Sequence, residues 1–177
     1  MKKLIASLPV LLIAAAFCPA LADDDEGANG LAGLVRDATR AYRDVALAEA
    51  AGYGAFLGCV SGSQGGAMGV HYANGTLVGD DAVDASQPEI LVYEPMRNGH
   101  MRLVAVEYIV FADAWHAVNE APPVLEGQVF HYTGSPNRYG LPPFYALHVW
   151  AWKHNANGVF ADWNPAVSCA NYGVIGD

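Results

Sequence analysis

Positive charge is scarce in this sequence. It holds 9 lysine and arginine residues against 18 aspartate and glutamate residues, which gives a formal net charge of −9 at pH 7. Binding to a nucleic-acid backbone needs a basic surface that neutralises phosphates. The composition therefore excludes nucleic acid as an expected partner, and the partner that we expect is a small-molecule ligand or substrate.

Long apolar runs are also scarce, and the one that is present stands at the start of the chain. Two lysines precede an apolar run over residues 4–17, and Ala-Leu-Ala over residues 20–22 fits the small-x-small pattern of a signal-peptidase site. The sequence predicts a cleaved signal peptide over residues 1–22 and an exported protein, periplasmic or extracellular. The acidic run that follows, over residues 23–28, is interpreted as a solvated tail.

A lipoprotein signal with the lipid on Cys18 is the alternative interpretation of the same residues. The bulky Phe17 precedes that cysteine, where lipoprotein signals place a small side chain, so simple cleavage is favoured. The apolar run is too short for a good transmembrane helix, and we expect no membrane span.

Cysteine is the third scarce residue, with three in the chain. Removal of the signal peptide leaves Cys59 and Cys169, and two thiols in an oxidising compartment usually pair. We expect a disulfide that closes a loop of about 110 residues and contributes roughly 4–5 kcal/mol in the chain-entropy model. A two-cysteine metal site is the alternative that the sequence leaves open.

Helical periodicity is confined to one stretch after the acidic run. Apolar side chains recur at spacings of three and four over residues 29–51, as one buried helical face requires. Asn29 is placed to cap the start of this helix and Gly52 to end it. The apolar positions are Leu31, Leu34, Val35, Ala38, Tyr42 and Val45. We expect this helix to pack against a sheet.

After Gly52 the pattern changes to short apolar runs separated by glycine, proline, asparagine and aspartate. The runs are rich in valine, isoleucine and aromatic residues, which favours β-strands. The candidate strands are 54–60, 67–73, 89–95, 101–111, 127–132 and 144–153. The pattern predicts an α+β fold in a single domain over residues 23–177, with a β-rich part over 54–177. In it, one N-terminal amphipathic helix packs on a mostly antiparallel, curved sheet or barrel.

Asn98-Gly99 is the strongest local turn signal, and it joins the third and fourth candidate strands. A two-residue turn there places Ile90 opposite Glu107 and puts Glu94 on the same face as Glu107. The two glutamates are then four residues apart along the strands, roughly 13 Å. A three-residue loop with a bulge would place them on opposite faces instead.

Four titratable side chains stand among apolar neighbours in these strands: His71, Glu94, Glu107 and His148. Glu107 interrupts RLVAVEYIVF near its centre, and an unpaired buried carboxylate is costly, so it must be neutral, paired or metal-bound. Polar groups that converge in an apolar cavity are typical of a binding or catalytic site. The sequence contains no H-E-x-x-H, C-x-x-C, G-x-S-x-G or phosphate-loop motif that would name the chemistry.

Two imidazoles and a carboxylate form a ligand set that suits iron(II), zinc or manganese. We therefore predict one divalent ion held by His71, Glu107 and His148, with Glu94 orienting a ligand or acting as a catalytic acid or base. The function that follows is an exported, mononuclear metalloenzyme with a small organic substrate. Copper is a less favoured metal, suggested by the thioether of Met68 three residues before His71.

Two other functions remain open for the same four side chains. They could be the polar anchors of an apolar cavity in a non-catalytic carrier of a small hydrophobic ligand. They could also pair with one another in a disulfide-stapled interaction module, because a buried histidine is often a hydrogen-bonded core residue and a buried glutamate is often paired or protonated.

Four stretches of the chain together resemble a set of uncharacterised, secreted bacterial proteins. They are GGAMGVHY (65–72), LVYEP (91–95), RLVAVEY (102–108) and LHVWAWKHNANGVFADWNPAVSC (147–169), and they cover most of residues 59–169. The resemblance is to secreted proteins, and it brings no activity, cofactor or site residue with it.

Overall fold

The computed structural model describes residues 24–62 and 65–172. The predicted signal peptide over 1–22 lies outside the described residues. Within the described ranges, no helix has the length and apolar character that a membrane span requires. The architecture is α+β, with a curled antiparallel sheet that forms half of a barrel.

The N-terminal region folds into two helices, where the sequence predicted a single helix over residues 29–51. Helix α1 spans Asp24–Thr39, a 3₁₀ turn spans Arg40–Arg43, and helix α2 spans Val45–Ala50. The residues predicted as an acidic tail therefore belong to α1 from Asp24 onward, and Asn29 lies inside this helix instead of capping it.

Two polar side chains explain the break between the helices. Thr39 turns its hydroxyl back to donate a hydrogen bond to the Val35 carbonyl at 2.6 Å, at the last residue of α1. Asp44 has extended backbone angles and accepts a hydrogen bond from the Ala46 amide at 3.0 Å, which makes it the N-cap of α2. Such local bonds compete with a continuous helix. Gly52 follows the helical region with a left-handed φ of +95°, as expected of a residue that ends a helix.

Eight short strands follow in the described chain: β1 Tyr53–Gly62, β2 Gly66–Asn74, β3 Ile90–Pro95, β4 Met101–Phe111, β5 Val124–Leu125, β6 Gln128–Val129, β7 His131–Thr133 and β8 Phe144–Val149. Six of them form one antiparallel sheet in the order β1-β2-β3-β4-β8-β7, and β5 pairs with β6 separately. Two short helices, α3 (Gly75–Val78) and α4 (Ala112–His116), follow β2 and β4. The candidate strand 127–132 is divided between β6 and β7, and the candidate strand 144–153 ends earlier, at the end of β8.

The helices cover one face of the sheet. Leu31 and Val35 of α1 are fully buried, and the Tyr93 hydroxyl of β3 donates a hydrogen bond to the Tyr42 carbonyl at 2.6 Å. The predicted buried face is confirmed at Leu31 and Val35 but is wrong at Leu34, which is 47 % exposed. Leu34 lies at the margin of the buried stripe, whose fully buried members are spaced by four residues.

The hairpin of β3 and β4 keeps the predicted register only at the end far from its turn. Ile90 lies opposite Glu107, as predicted, but Glu94 lies opposite Arg102, whereas a two-residue turn would place it opposite Leu103. The predicted two-residue turn is wrong: the loop has three residues, 97–99, and the Met96 amide donates a hydrogen bond to the His100 carbonyl at 2.8 Å across it. One extra residue in β4, Val104, offsets this shift, which restores the pairing of Ile90 with Glu107. Strand β3 has no insertion, so Ile90 and Glu94 still share a face.

A disulfide joins the first strand to the end of the described chain. Cys59 of β1 is bonded to Cys169, with 5.5 Å between the Cα atoms and 110 residues between the partners, which confirms the predicted pair. Cys169 belongs to residues 150–172, which we call the C-terminal segment. The bond therefore ties this segment to an edge strand of the sheet.

The C-terminal segment also approaches β2 closely. Asn164 and Ala67 exchange backbone hydrogen bonds at 3.1 and 3.2 Å. A Cβ on Gly66 would meet the Asn164 carbonyl oxygen at 2.2 Å, and the φ of Gly66 is +87°. The glycines that precede His71 thus give the C-terminal segment room to approach, and this places it beside the strand that carries that histidine.

Candidate metal centre

Strand pairing brings three of the four predicted side chains together. Glu107 of β4 lies directly opposite His148 of β8 on one side and opposite Ile90 of β3 on the other. His71 of β2 lies opposite Val92, two residues along β3 from Ile90. Directly opposed residues share a face of a sheet, and diagonal neighbours are within reach of long side chains. The sheet therefore presents His71, Glu107 and His148 on one face, from three different strands.

The ligand atoms of these three side chains, which we call the His/Glu set, all lie within 4.8 Å of one another. His71 Nε2 is 3.5 Å from one carboxylate oxygen of Glu107, and His148 Nδ1 is 3.6 Å from the other. Both separations exceed ordinary hydrogen-bond length. Two ligand atoms bound to one tetrahedral ion at about 2.1 Å lie roughly 3.4 Å apart. The spacing therefore fits atoms arranged around an ion better than atoms hydrogen-bonded to each other.

All three side chains are withdrawn from solvent, with exposed fractions of 3 % for His71, 9 % for Glu107 and 2 % for His148. The outer ring nitrogens, His71 Nδ1 and His148 Nε2, have no hydrogen-bond partner in the described part of the chain. Histidines that bind metals usually donate this outer N–H to a carboxylate or carbonyl. Here packing orients the rings instead: the two imidazoles meet edge-on at 5.9 Å between centroids, and His148 stacks on Trp150 at 6.2 Å.

Burial shifts all three groups towards their uncharged forms. It raises the pKa of Glu107 to about 8, to which repulsion from Asp162 adds, and it lowers the pKa of His71 to about 4. The pKa of His148 falls to about 3, first from burial and then from the nearby His71 and His131. Without an ion the His/Glu set is therefore predominantly neutral at pH 7. A divalent cation would reverse the balance for Glu107, because its charge favours the carboxylate.

A small cavity adjoins His71 and Glu107. Its volume is about 20 Å³, and a cavity needs roughly 10–15 Å³ on this measure to hold one water molecule. Its other walls are almost entirely apolar and include Leu57, Met68, Ile109, Leu141 and Phe144. The cavity thus offers one small position beside the His/Glu set, in apolar surroundings.

Glu94 lies further along the same face and is not part of the His/Glu set. Arg102 and Lys153 both donate hydrogen bonds to its carboxylate, Lys153 at 2.8 and 3.0 Å, and the Ser168 amide donates at 3.3 Å. Burial opposes the ionisation of Glu94, but these bonds outweigh it and hold its pKa below the usual value. Its predicted role in orienting a ligand or in acid–base chemistry stays a prediction, while its contacts fasten it to the C-terminal segment.

Sequence reasoning missed several titratable residues close to the His/Glu set. Asp162 Oδ1 lies 3.9 Å from His148 Nδ1 and 3.8 Å from His131 Nδ1. Glu89 is 2 % exposed, and its carboxylate accepts a hydrogen bond from the Ile109 amide at 3.2 Å, while burial raises its pKa to about 8. Each stands beside turn residues or at the end of a strand, so apolar periodicity does not single it out.

No protein-family model matches this chain, and comparisons with curated proteins and with solved structures give no match either. The resemblance to secreted bacterial proteins therefore stays an expectation. A function is inferred from the buried group of His71, Glu107 and His148, which could hold a metal ion.

Proposed function

We propose that this protein is an exported metalloprotein that binds one divalent ion through His71, Glu107 and His148 and uses it in catalysis on a small organic substrate. The observation that carries the proposal is the convergence of buried ligand atoms from three strands within 4.8 Å. The disulfide between Cys59 and Cys169 supports export, because such bonds persist in oxidising compartments.

The donor atoms favour some ions over others. Two imidazoles and one carboxylate suit iron(II), zinc or manganese. Copper(I) would draw on the thioether of Met68, which lines the cavity beside His71. That sulfur already accepts a hydrogen bond from the Tyr139 hydroxyl at 3.8 Å. Copper is therefore less favoured than iron(II), zinc or manganese.

The small cavity supports a catalytic ion in preference to a purely structural one. Catalytic metal sites keep a coordination position for water or substrate, whereas structural zinc sites are closed by four protein ligands in a tetrahedron. The cavity of about 20 Å³ is lined by His71 and Glu107, so a water molecule or substrate atom in it would lie next to the ion. A bound divalent ion would lower the pKa of a water molecule or polarise an oxygen atom of the substrate. The apolar walls favour a substrate that presents a small apolar group there.

Metal content tests the binding part of the proposal. The untagged protein is purified without chelators, exposed to iron(II), zinc or manganese, freed of excess ion and analysed for metal. We expect about one ion per chain in the natural protein and in the control variant His100→Ala, which changes an exposed histidine of the β3–β4 turn. We expect far less in His71→Ala and His148→Ala.

Circular dichroism identifies any variant that fails to fold, and His71→Gln and His148→Gln then replace the alanine variants. A natural protein with close to no bound metal would overturn the proposal. Retention of one ion per chain in both folded histidine variants would overturn it as well.

Cobalt(II) substitution tests the catalytic part of the proposal. The visible spectrum of bound cobalt(II) reports on its ligands, and fluoride is an anion of about the size of a water molecule. We expect fluoride to shift the spectrum of the cobalt protein, since the cavity admits a water-sized group. A spectrum that fluoride leaves unchanged at saturating concentration would indicate a closed, structural ion.

The two alternative functions have less support in the geometry. A cavity of about 20 Å³ holds one water molecule, whereas pockets for drug-sized organic ligands measure about 300 Å³ or more. A carrier would therefore need a larger opening than the cavity provides. Mutual pairing of the histidines with Glu107, as in an interaction module, is disfavoured because the 3.5 and 3.6 Å separations are too long for hydrogen bonds.

A further inference from the structure

Asp162 of the C-terminal segment stands on the solvent side of the His/Glu set. Its Oδ1 atom lies 3.9 Å from His148 Nδ1, the same nitrogen that faces Glu107 at 3.6 Å. His131 Nδ1 of β7 lies 3.8 Å from the same oxygen on the other side. The side chains of Asp162 and His131 are 46 % and 65 % exposed, so they lie between the buried imidazole of His148 and solvent.

We propose that Asp162 is a fourth protein ligand of the ion, and this rests on the proposed function of the His/Glu set. Neither of the two separations at Asp162 Oδ1 is a hydrogen bond, because both exceed the usual range. A separation of 3.9 Å from His148 Nδ1 is only a few tenths of an ångström longer than that between Glu107 and the same nitrogen. Asp162 lies outside the group of three whose ligand atoms fall within 4.8 Å of one another, so its side chain must move towards the His/Glu set to share the ion.

Charge balance gives a physical reason for a second carboxylate. A divalent cation held by two neutral imidazoles and Glu107 alone leaves one net positive charge in a buried site, and an unbalanced buried charge is costly. Asp162 supplies the missing negative charge from the exposed side. His131 then acts as a positioning residue that orients the carboxylate from behind.

The arrangement leaves the cavity side of the ion free. His71 and Glu107 border the cavity, whereas Asp162 lies beyond His148 and is not among the residues that line it. The expected site has four protein ligands with room for one water molecule or substrate atom. Through Asp162, the ion also links strands β2, β4 and β8 to the C-terminal segment.

The test compares Asp162→Asn with a control that makes the same change in charge at a remote position. Asp81→Asn serves as this control, because Asp81 is exposed and its positive φ of 58° suits asparagine equally well. Dissociation constants for zinc and manganese are measured by competition with a chromogenic chelator, and thermal unfolding of each chelator-treated protein is recorded. We expect Asp162→Asn to weaken metal binding by about 10-fold or more, because even loss of a residue that only supports a metal ligand typically lowers the affinity by about that factor. We expect Asp81→Asn to leave binding unchanged.

A merely structural role for Asp162 predicts a different pattern. If the role were structural, Asp162→Asn would lower the melting temperature of the metal-free protein. If Asp162 is a ligand, the metal-free variant melts close to the temperature of the natural protein, and only the rise in melting temperature on addition of zinc becomes smaller. Binding by Asp162→Asn within two-fold of the natural protein would overturn the inference, and so would an equal loss in Asp81→Asn. If the natural protein binds no metal, or binds it without need of His71 and His148, the proposed function fails and the inference fails with it. If binding needs both histidines but not Asp162, the inference alone fails.

Discussion

Glu94 and Glu107 stand in similar sequence settings and in very different surroundings. Both interrupt apolar strands of one hairpin, and their exposed fractions are 6 % and 9 %. Two cationic side chains and a backbone amide donate to Glu94, whereas Glu107 faces two imidazoles beyond hydrogen-bond distance. The pKa of Glu94 is held below its usual value, and that of Glu107 rises to about 8.

The hydrogen-bond donors around a buried carboxyl group, and not its burial alone, decide whether it is charged. Glu94 keeps its charge and uses it to hold Lys153 and the Ser168 amide of the C-terminal segment. Glu107 forms no ion pair with a lysine or arginine among the residues that the structure describes. A buried carboxyl group without a lysine or arginine partner is suited to bind a metal cation.

The largest expected effect follows from removal of the disulfide, which, like Glu94, holds the C-terminal segment against the sheet. The double variant Cys59→Ser with Cys169→Ser should lose about 4–5 kcal/mol of unfolding free energy, because the bond closes a loop of 110 residues. Urea denaturation measures this loss. A loss below about 1 kcal/mol would show that the disulfide contributes little to stability.

Glu94→Gln should have the next largest effect, and only on stability. It leaves the largely buried ammonium of Lys153 without its carboxylate, which should cost about 2–3 kcal/mol, less than for a fully buried pair because Arg102 is half exposed. Urea denaturation checks the cost and metal analysis checks the site. Loss of the bound ion in a folded Glu94→Gln protein would show that the ion depends on Glu94 and would contradict a site formed by His71, Glu107 and His148.

Glu107→Gln should change how the stability of the metal-free protein depends on pH. The pKa of Glu107 in the folded state, about 8, lies above its usual value of 4.5. The contribution of Glu107 to the free energy of unfolding is therefore highest below pH 4.5, where the group is protonated in both states, and it falls as the pH rises from 4.5 through 8. Glutamine does not titrate, so this loss is absent in the variant. With chelator present, Glu107→Gln should become more stable relative to the natural protein by about 1–2 kcal/mol between pH 6.5 and 8.5.

Urea denaturation at several pH values measures that difference. The lowered pKa values of His71 and His148 act in the opposite direction, since their stabilising contribution is lost as the pH falls from 6.5 towards 4. They are common to both proteins, so the difference isolates Glu107. A difference that stays constant with pH would mean that Glu107 is already ionised in the metal-free fold.

Met68→Leu should have the smallest effect. The two side chains have similar volumes, so we expect a change in unfolding free energy of about 1 kcal/mol or less and an unchanged metal content. The measurement pairs urea denaturation with metal analysis after exposure to copper(I) and to zinc. Selective loss of copper(I) binding would favour copper as the natural ion and would assign the Met68 thioether to the site.

Sequence reasoning identified the residues of the His/Glu set but not their convergence. His71, Glu107 and His148 stood out because polar side chains in apolar strands are costly unless they have partners. Their meeting depends on β8 pairing with β4 across a long connection, and on β2 and β4 flanking β3. Local sequence patterns do not specify such long-range neighbours. Ile90 lies opposite Glu107 as predicted, but only because the extra residue Val104 offsets a turn that has three residues instead of two.

Local competition explains the other differences. The single helix failed at Thr39 and Asp44, whose side chains bond to nearby backbone groups. The register near Glu94 differs because the turn has three residues, with Gly99 at a left-handed φ of +78°. The apolar sequence around Val104 gives no mark of the bulge that offsets it. Asp162 escaped notice because a carboxylate in a turn-rich segment looks like ordinary surface.

Metal content of three proteins prepared side by side tests the central claim most directly: the natural chain, Glu107→Gln and Glu94→Gln. The two variants make the same chemical change at two buried glutamates of one hairpin, so each is the control for the other. We predict about one ion per chain in the natural protein and in Glu94→Gln, and far less in Glu107→Gln. A folded Glu107→Gln protein that retains one ion per chain would contradict the account, as would an equal loss in both variants.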